Sequence, residues 1–241
     1  MITQDHLQGH WQRDWIKAPG FEDDTTRVHW LQAGVLYADL RIPLLRPEIL
    51  GLSCLAELDP PSLRPLMVSE GFAGHITVKD GNCTWHRKIN WHGIPGQADI
   101  GAMSFDDSGG LIEDGVLADY RELWQAVPQT ALRGATVSSG ALSGVLIEND
   151  EVFLLGIGPT PNGTSADLIA ALDGGMADHP ALQQHFSSAY VLGRWDGPLG
   201  IAQLSTNPFQ EGQVTLERHG GLVWHSLAFD GQREALPLNL T

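Results

Sequence analysis

Residues 36–42 alternate without interruption: Leu36, Ala38, Leu40 and Ile42 point one way, Tyr37, Asp39 and Arg41 the other. A period of two marks a β-strand, because successive side chains leave opposite faces of the pleat. Short runs of this kind recur along the chain. Residues 9–16 predict an aromatic opening strand, residues 20–26 an acidic turn, and residues 28–42 two strands broken near Ala33-Gly34. Prolines at 43, 47, 60, 61 and 65 punctuate a stretch read as short helices over 50–58 and 62–69. Residues 74–91 predict a hairpin turning at Asp80-Gly81, followed by strands over 100–105, 111–114 and 119–127. Beyond Pro128-Gln129, residues 136–147 and 151–157 read as a hairpin turning at Asn149-Asp150. Residues 166–173 and 180–187 read as short helices, the second with Asp178 near its start. Residues 190–205 give one or two strands, and a hairpin over 214–225 ends the pattern.

Two of these hairpins are near-copies. Ile76–Lys79 leads through Asp80-Gly81-Asn82 to Cys83-Thr84-Trp85-His86; Val214–Glu217 leads through Arg218–Gly221 to Leu222-Val223-Trp224-His225. A repeat about half a chain apart predicts two related β domains, residues 1–128 and 129–241. Many short strands with few long helices predict antiparallel sandwiches or barrels, and closure into barrels removes exposed edges. Within each Trp-His pair, alternation sends the two side chains to opposite faces. Only one of each pair can face inward, so a core Trp and a site His are competing readings; Trp85 and Trp224 are the ones expected in the core, which makes the repeat scaffold and not twin active sites.

Composition narrows the function. The 241 residues are 42% hydrophobic with eight Trp, so the chain is globular. A formal charge of −15 with no basic stripe argues against nucleic acid and against anionic membrane surfaces. No apolar run is long enough to span a membrane, and residues 1–15 lack the pattern of a signal peptide. Cys54 and Cys83 match no metal or redox spacing and read as reduced, packed thiols of a cytoplasmic protein. The ten histidines show no zinc-type spacing, so no metal is expected. Gly193-Arg194-Trp195-Asp196-Gly197 only faintly echoes a haem-barrel opening, so no cofactor is expected either.

Candidate chemistry centres on Tyr37-x-Asp39-x-Arg41, a phenol, a carboxylate and a guanidinium on one strand face. If that face lines a barrel, Arg41 can grip a ligand carboxylate, Asp39 can hold Arg41 or accept a proton, and Tyr37 can donate. If it is a solvated outer face, the aliphatic side fills the barrel instead. Tyr120-x-Glu122-x-Trp124 repeats the motif, so Tyr37, Asp39, Arg41, Tyr120 and Glu122 converge if both strands aim inward, with His86 a further candidate.

The stretches Leu36–Pro43, Trp85 and Trp91, Arg121-Glu122-Leu123-Trp124-Gln125-Ala126-Val127, Leu192-Gly193-Arg194-Trp195 and Gly221-Leu222-Val223-Trp224 come in an order that resembles the HRI-type proteins. These form a tandem lipocalin-like family with fungal and bacterial members. The resemblance runs over nearly the whole chain and implies two non-standard lipocalin-like β-barrels packed together. It leaves activity open, because the family is known for its fold and not for a biochemical role. A fungal member is associated with a protein kinase and with membrane-targeting factors; nothing in this chain carries those partners over. Gly9-x-Trp11 and Gly193-x-Trp195 echo the Gly-x-Trp that opens lipocalin barrels.

The resulting expectation is an all-β protein of two tandem lipocalin-like antiparallel β-barrels with a few short helices. The first barrel is expected to bind a small amphipathic or carboxylated ligand without catalysis, through Tyr37, Asp39, Arg41, His86, Tyr120 and Glu122. The second is expected to be filled and structural. Two alternatives stand beside it: an acid–base enzyme of lyase or isomerase type using the same cluster, and a protein-interaction module with both barrels filled and an unknown partner.

Overall fold

The computed structural model describes residues 1–241. In the first half, β1 (Gly9–Ala18), β2 (Phe21–Asp23), β3 (Arg27–Ala33), β4 (Leu36–Ile42), β5 (Glu70–Lys79), β6 (Asn82–Asn90), β7 (Asp99–Phe105), β8 (Leu111–Gly115) and β9 (Arg121–Val127) form one antiparallel meander. β1 pairs with both β3 and β9, which closes an eight-stranded barrel and leaves β2 as a flap on β1. In the second half, β10 (Arg133–Ser139), β11 (Leu142–Glu148), β12 (Val152–Gly158), β13 (Ala189–Asp196), β14 (Leu199–Ser205), β15 (Val214–Arg218), β16 (Leu222–Leu227) and β17 (Arg233–Leu240) close a second barrel. Helix α1 (Pro60–Met67) lies between β4 and β5; α2 (Ala166–Asp173) and α3 (His179–His185) lie between β12 and β13. The all-β reading with two tandem barrels is therefore correct. No helix is long and apolar enough to cross a membrane.

Local chemistry explains the turns and caps. Asp80 and Gly81 both have positive φ, 53° and 83°, which is the geometry that turns a tight hairpin with the natural strand twist. The Asp59 carboxylate accepts from the Ser62 amide and opens α1, with Pro60 and Pro61 where no amide is needed; Asp178 caps α3 through Ala181 in the same way. Four elements differ from expectation. Residues 50–58 form no α-helix, only a 3-10 turn over Leu55–Glu57. Residues 136–147 are not one strand but parts of two, because Gly140 at φ 57° reverses the chain. The acidic turn contains β2. A last strand, β17, follows the final hairpin and seals the second barrel. Its Pro237 pairs with Val223, and the edge toward β10 holds only two register pairs, so the missing amide is tolerated.

The Trp-His repeat also changes meaning. It falls on the fourth and fifth strands of the first barrel (β5–β6) but on the sixth and seventh of the second (β15–β16). The likeness is thus between two hairpins and not between equivalent places. The repeated architecture lies elsewhere: in each barrel, helix enters between the third and fourth strands.

Those helices wall the largest apolar cluster, 23 buried residues drawn from both halves, including Leu40, Ile42, Leu66, Ile147, Leu154, Phe186 and Tyr190. It exceeds either barrel's own lumen cluster, of 13 and 12 residues. The join between the barrels is therefore a true core, and β4 and β12, the third strand of each barrel, both contribute to it.

Candidate functional site

Strand β4 is buried on both faces. Ala38, Leu40 and Ile42 face the second barrel, while Tyr37, Asp39 and Arg41 face the first barrel's lumen. The aliphatic face is shut off from solvent by the second barrel, and the polar face reaches it only at Arg41, at the barrel mouth. At the corresponding third strand of the second barrel, β12 aims Phe153, Leu155 and Ile157 into an apolar lumen. One barrel is packed with hydrocarbon and the other is built around charge.

The charged set is assembled by strand alternation. Asp39 accepts from Arg41 Nε at 2.9 Å. Glu122 on β9 accepts from Arg13 Nη1 on β1 at 2.8 Å and from Arg41 Nη1 at 3.5 Å, while Arg13 Nη2 reaches Asp23 on the flap at 2.9 Å. Glu113 on β8 lies directly opposite Glu122 in register; it accepts from Tyr120 Oη at 2.7 Å and from Trp124 Nε1 at 3.2 Å. Arg87 on β6 donates to Asp99 at 2.6 Å and lies 3.6 Å from the Phe72 ring centroid. The aromatics Trp30, Trp85, Trp124 and Phe72 fill the rest of the lumen.

Burial governs the proton affinities. Withdrawal from water pushes the Asp39 carboxyl up to about 6, with the nearby Arg41 guanidinium limiting the rise. Burial, and then the facing Glu122 carboxylate, hold Glu113 well above the usual carboxylate range. Tyr37 is raised by burial as well, and its hydroxyl has no partner; Glu122 Oε2 is likewise buried and unpaired. Glu70 on β5 behaves differently. Burial works to raise it, but Arg41, and after it His92, Arg87 and Arg13, outweigh that and hold it below its ordinary value.

Two spaces adjoin the cluster. One is an enclosed gap of about 10 Å³ lined by Trp30, Asp39, Arg41, Trp85 and Glu113. The other is a cleft of about 190 Å³ at the barrel mouth, between Arg13, Asp23, Arg41 and Glu70, with Ile16, Phe21, Pro43 and Val68 as apolar flanks. No group of three or more His, Cys, Asp or Glu side chains is arranged to hold a metal ion.

Of the sequence-derived residues, Asp39, Arg41 and Glu122 meet directly, Tyr120 joins through Glu113, and Tyr37 shares the lumen wall. His86 does not join them. Trp85 takes the inward position, and His86 stacks on His75 at 4.5 Å on the exposed outer face. Arg13, Glu70, Arg87, Asp99 and Glu113 are additional members that the sequence reading missed. A signal existed: Arg13, Glu70 and Arg87 each stand two residues from an inward aromatic (Trp11, Phe72 and Trp85), and alternation carries the inward direction along the strand.

Fold and site together define a class: paired eight-stranded antiparallel barrels, one lumen apolar and one charged. No family model matches the chain, and no curated protein matches it. Among solved structures, it is similar to the crystal structure of the uncharacterized protein YLR301w from Saccharomyces cerevisiae. The TM-score is 0.55 at 13% sequence identity, over 96% of each chain. That likeness extends across both barrels and concerns the fold alone.

Proposed function

We propose that the first barrel binds a small polar ligand at its mouth without transforming it, and that the second barrel is its structural partner. The protein is read as a cytoplasmic member of the HRI-type, tandem lipocalin-like group. The observation that carries the reading is the cleft of about 190 Å³ floored by Arg41 and Arg13. Arg41 spends Nε on Asp39 and part of Nη1 on Glu122, which leaves its Nη2 group for an anionic atom in the cleft. Ile16, Phe21, Pro43 and Val68 suit a short hydrocarbon portion. A charged cluster in a lumen that could have been apolar, as its neighbour is, contributes little net stability, which favours a role in recognition.

The deep-calyx version of ligand binding loses support, because Trp30, Trp85, Trp124 and Phe72 occupy the lumen. The acid–base alternative would need substrate beside Asp39 or Glu113, where the gap of about 10 Å³ holds about one water. The test is a thermal-shift screen of small metabolites on the intact protein, repeated on Arg41→Met. Hits whose stabilisation drops about tenfold or more in apparent affinity in the variant support the reading; hits indifferent to Arg41 reject it.

A further inference from the structure

The charges lining the mouth balance, Arg13 and Arg41 against Asp23 and Glu70, but Asp39 and Glu122 join the same ion-pair network and leave it with an excess of carboxylates. Arg13 is paired with Asp23 and Glu122, and Arg41 with Asp39 and Glu122, so both guanidiniums already have carboxylate partners. Glu70 stands directly across from Arg41 in the β4–β5 register, yet forms no ion pair and no hydrogen bond. It is partly buried, lines the cleft and is held in its ionised form by the surrounding arginines. Within the network that Arg13 and Arg41 share, Glu122 Oε2 is a second buried acceptor without a donor. A partly desolvated carboxylate with no donor is a strong site for a charged N–H group. No lysine lines the cleft to supply one.

We propose that the ligand of this cleft carries an ammonium group, which binds Glu70 while the apolar flanks cover a short aliphatic chain. The cleft is thereby a site for small amines, and for amino acids whose carboxylate can also reach Arg41. This rests on the mouth-binding reading and specifies its chemistry. A volume of about 190 Å³ is many times the gap that holds one water, which suits a ligand of amino-acid size.

The experiment is calorimetric titration of the intact protein with three molecules sharing one hydrocarbon chain: leucine, 3-methylbutylamine and 4-methylpentanoate. The first two are expected to bind, and Glu70→Gln to weaken both by about tenfold to a hundredfold, as for a lost charged hydrogen bond. Val68→Phe, at an exposed rim position, fills the same cleft and is expected to abolish both even if Glu70→Gln folds poorly. Binding of 4-methylpentanoate alone, dependent on Arg41, overturns the ammonium assignment and leaves the mouth-binding reading in place. Amine binding undiminished in Glu70→Gln and Val68→Phe, or no binding of either amine, also overturns it.

Discussion

Asp39 shows how the lumen sets the chemistry of a single residue. Its carboxyl is withdrawn from water, Arg41 compensates in part, and the group takes up its proton at about 6, against 3.8 for the ordinary side chain. The folded protein therefore keeps a proton that the unfolded chain releases over this window. Stability contributed by this group is greatest below pH 3.8, falls as pH rises toward 6, and is level above. Replacing Asp39 with Asn removes the titration. Relative to wild type, the variant should gain about 2–3 kcal/mol between pH 4 and pH 7 in urea unfolding, whatever its absolute stability. A stability difference that is flat with pH would contradict the assignment.

At the scale of strands, β4 shows what sequence can and cannot reveal. Its alternation, its two faces and its membership of a barrel were all legible, as were the Asp80-Gly81 turn and both proline-led helices. The direction of the faces was not. A strand with one aliphatic and one polar face reads as apolar inside, polar outside; β4 inverts this because a second barrel covers Ala38, Leu40 and Ile42. Residues distant in sequence decide the matter, and no local pattern reports them. Arg13 and Glu70 were obscure for a related reason, their inward direction following only from an aromatic two residues away, and Glu113 has only Leu111 to report its direction. β5 carries a further tertiary requirement. A Cβ on Gly71 would meet the Tyr190 ring of the second barrel at 2.2 Å. Gly71→Ala should therefore cost about 1–3 kcal/mol through forced displacement of that ring, measured by chemical denaturation; an unchanged midpoint would mean that the barrels are not held together at this point.

Across the whole molecule, buried histidines set the response to acid. Burial lowers His10 to about 3, His29 to about 4 and His185 to about 3; His29 adds to the effect on His10, Arg27 to that on His29, and His92 to that on His185. Unfolded, all three would take up protons near pH 6.5, so stability present above that value is lost as pH falls toward 4. Asp39 and Glu113 act in the opposite sense. The histidines outnumber these two carboxyls, so the net effect is a loss of stability as pH falls from 6 to 5. The unfolding midpoint should thus fall across this interval, even though the protein is nearing its isoelectric point of about 4.8 and its self-repulsion is fading. A midpoint that rises would show that net charge outweighs the histidines.

The seat of Tyr190 on Gly71 has a consequence for signalling. Gly71 is the next residue after Glu70, so the ring of one barrel presses on the strand that aims the mouth carboxylate of the other. Mouth occupancy and the packing of Tyr190 are expected to be coupled through this contact, and any such coupling is reciprocal. Gly71→Ala should weaken amine affinity along with stability. Gly193→Ala, whose Cβ would meet Phe153 at 2.3 Å inside the second barrel, should lower stability and leave amine affinity alone. On that expectation, Tyr190, buried in the core between the barrels, registers what the mouth holds without touching it.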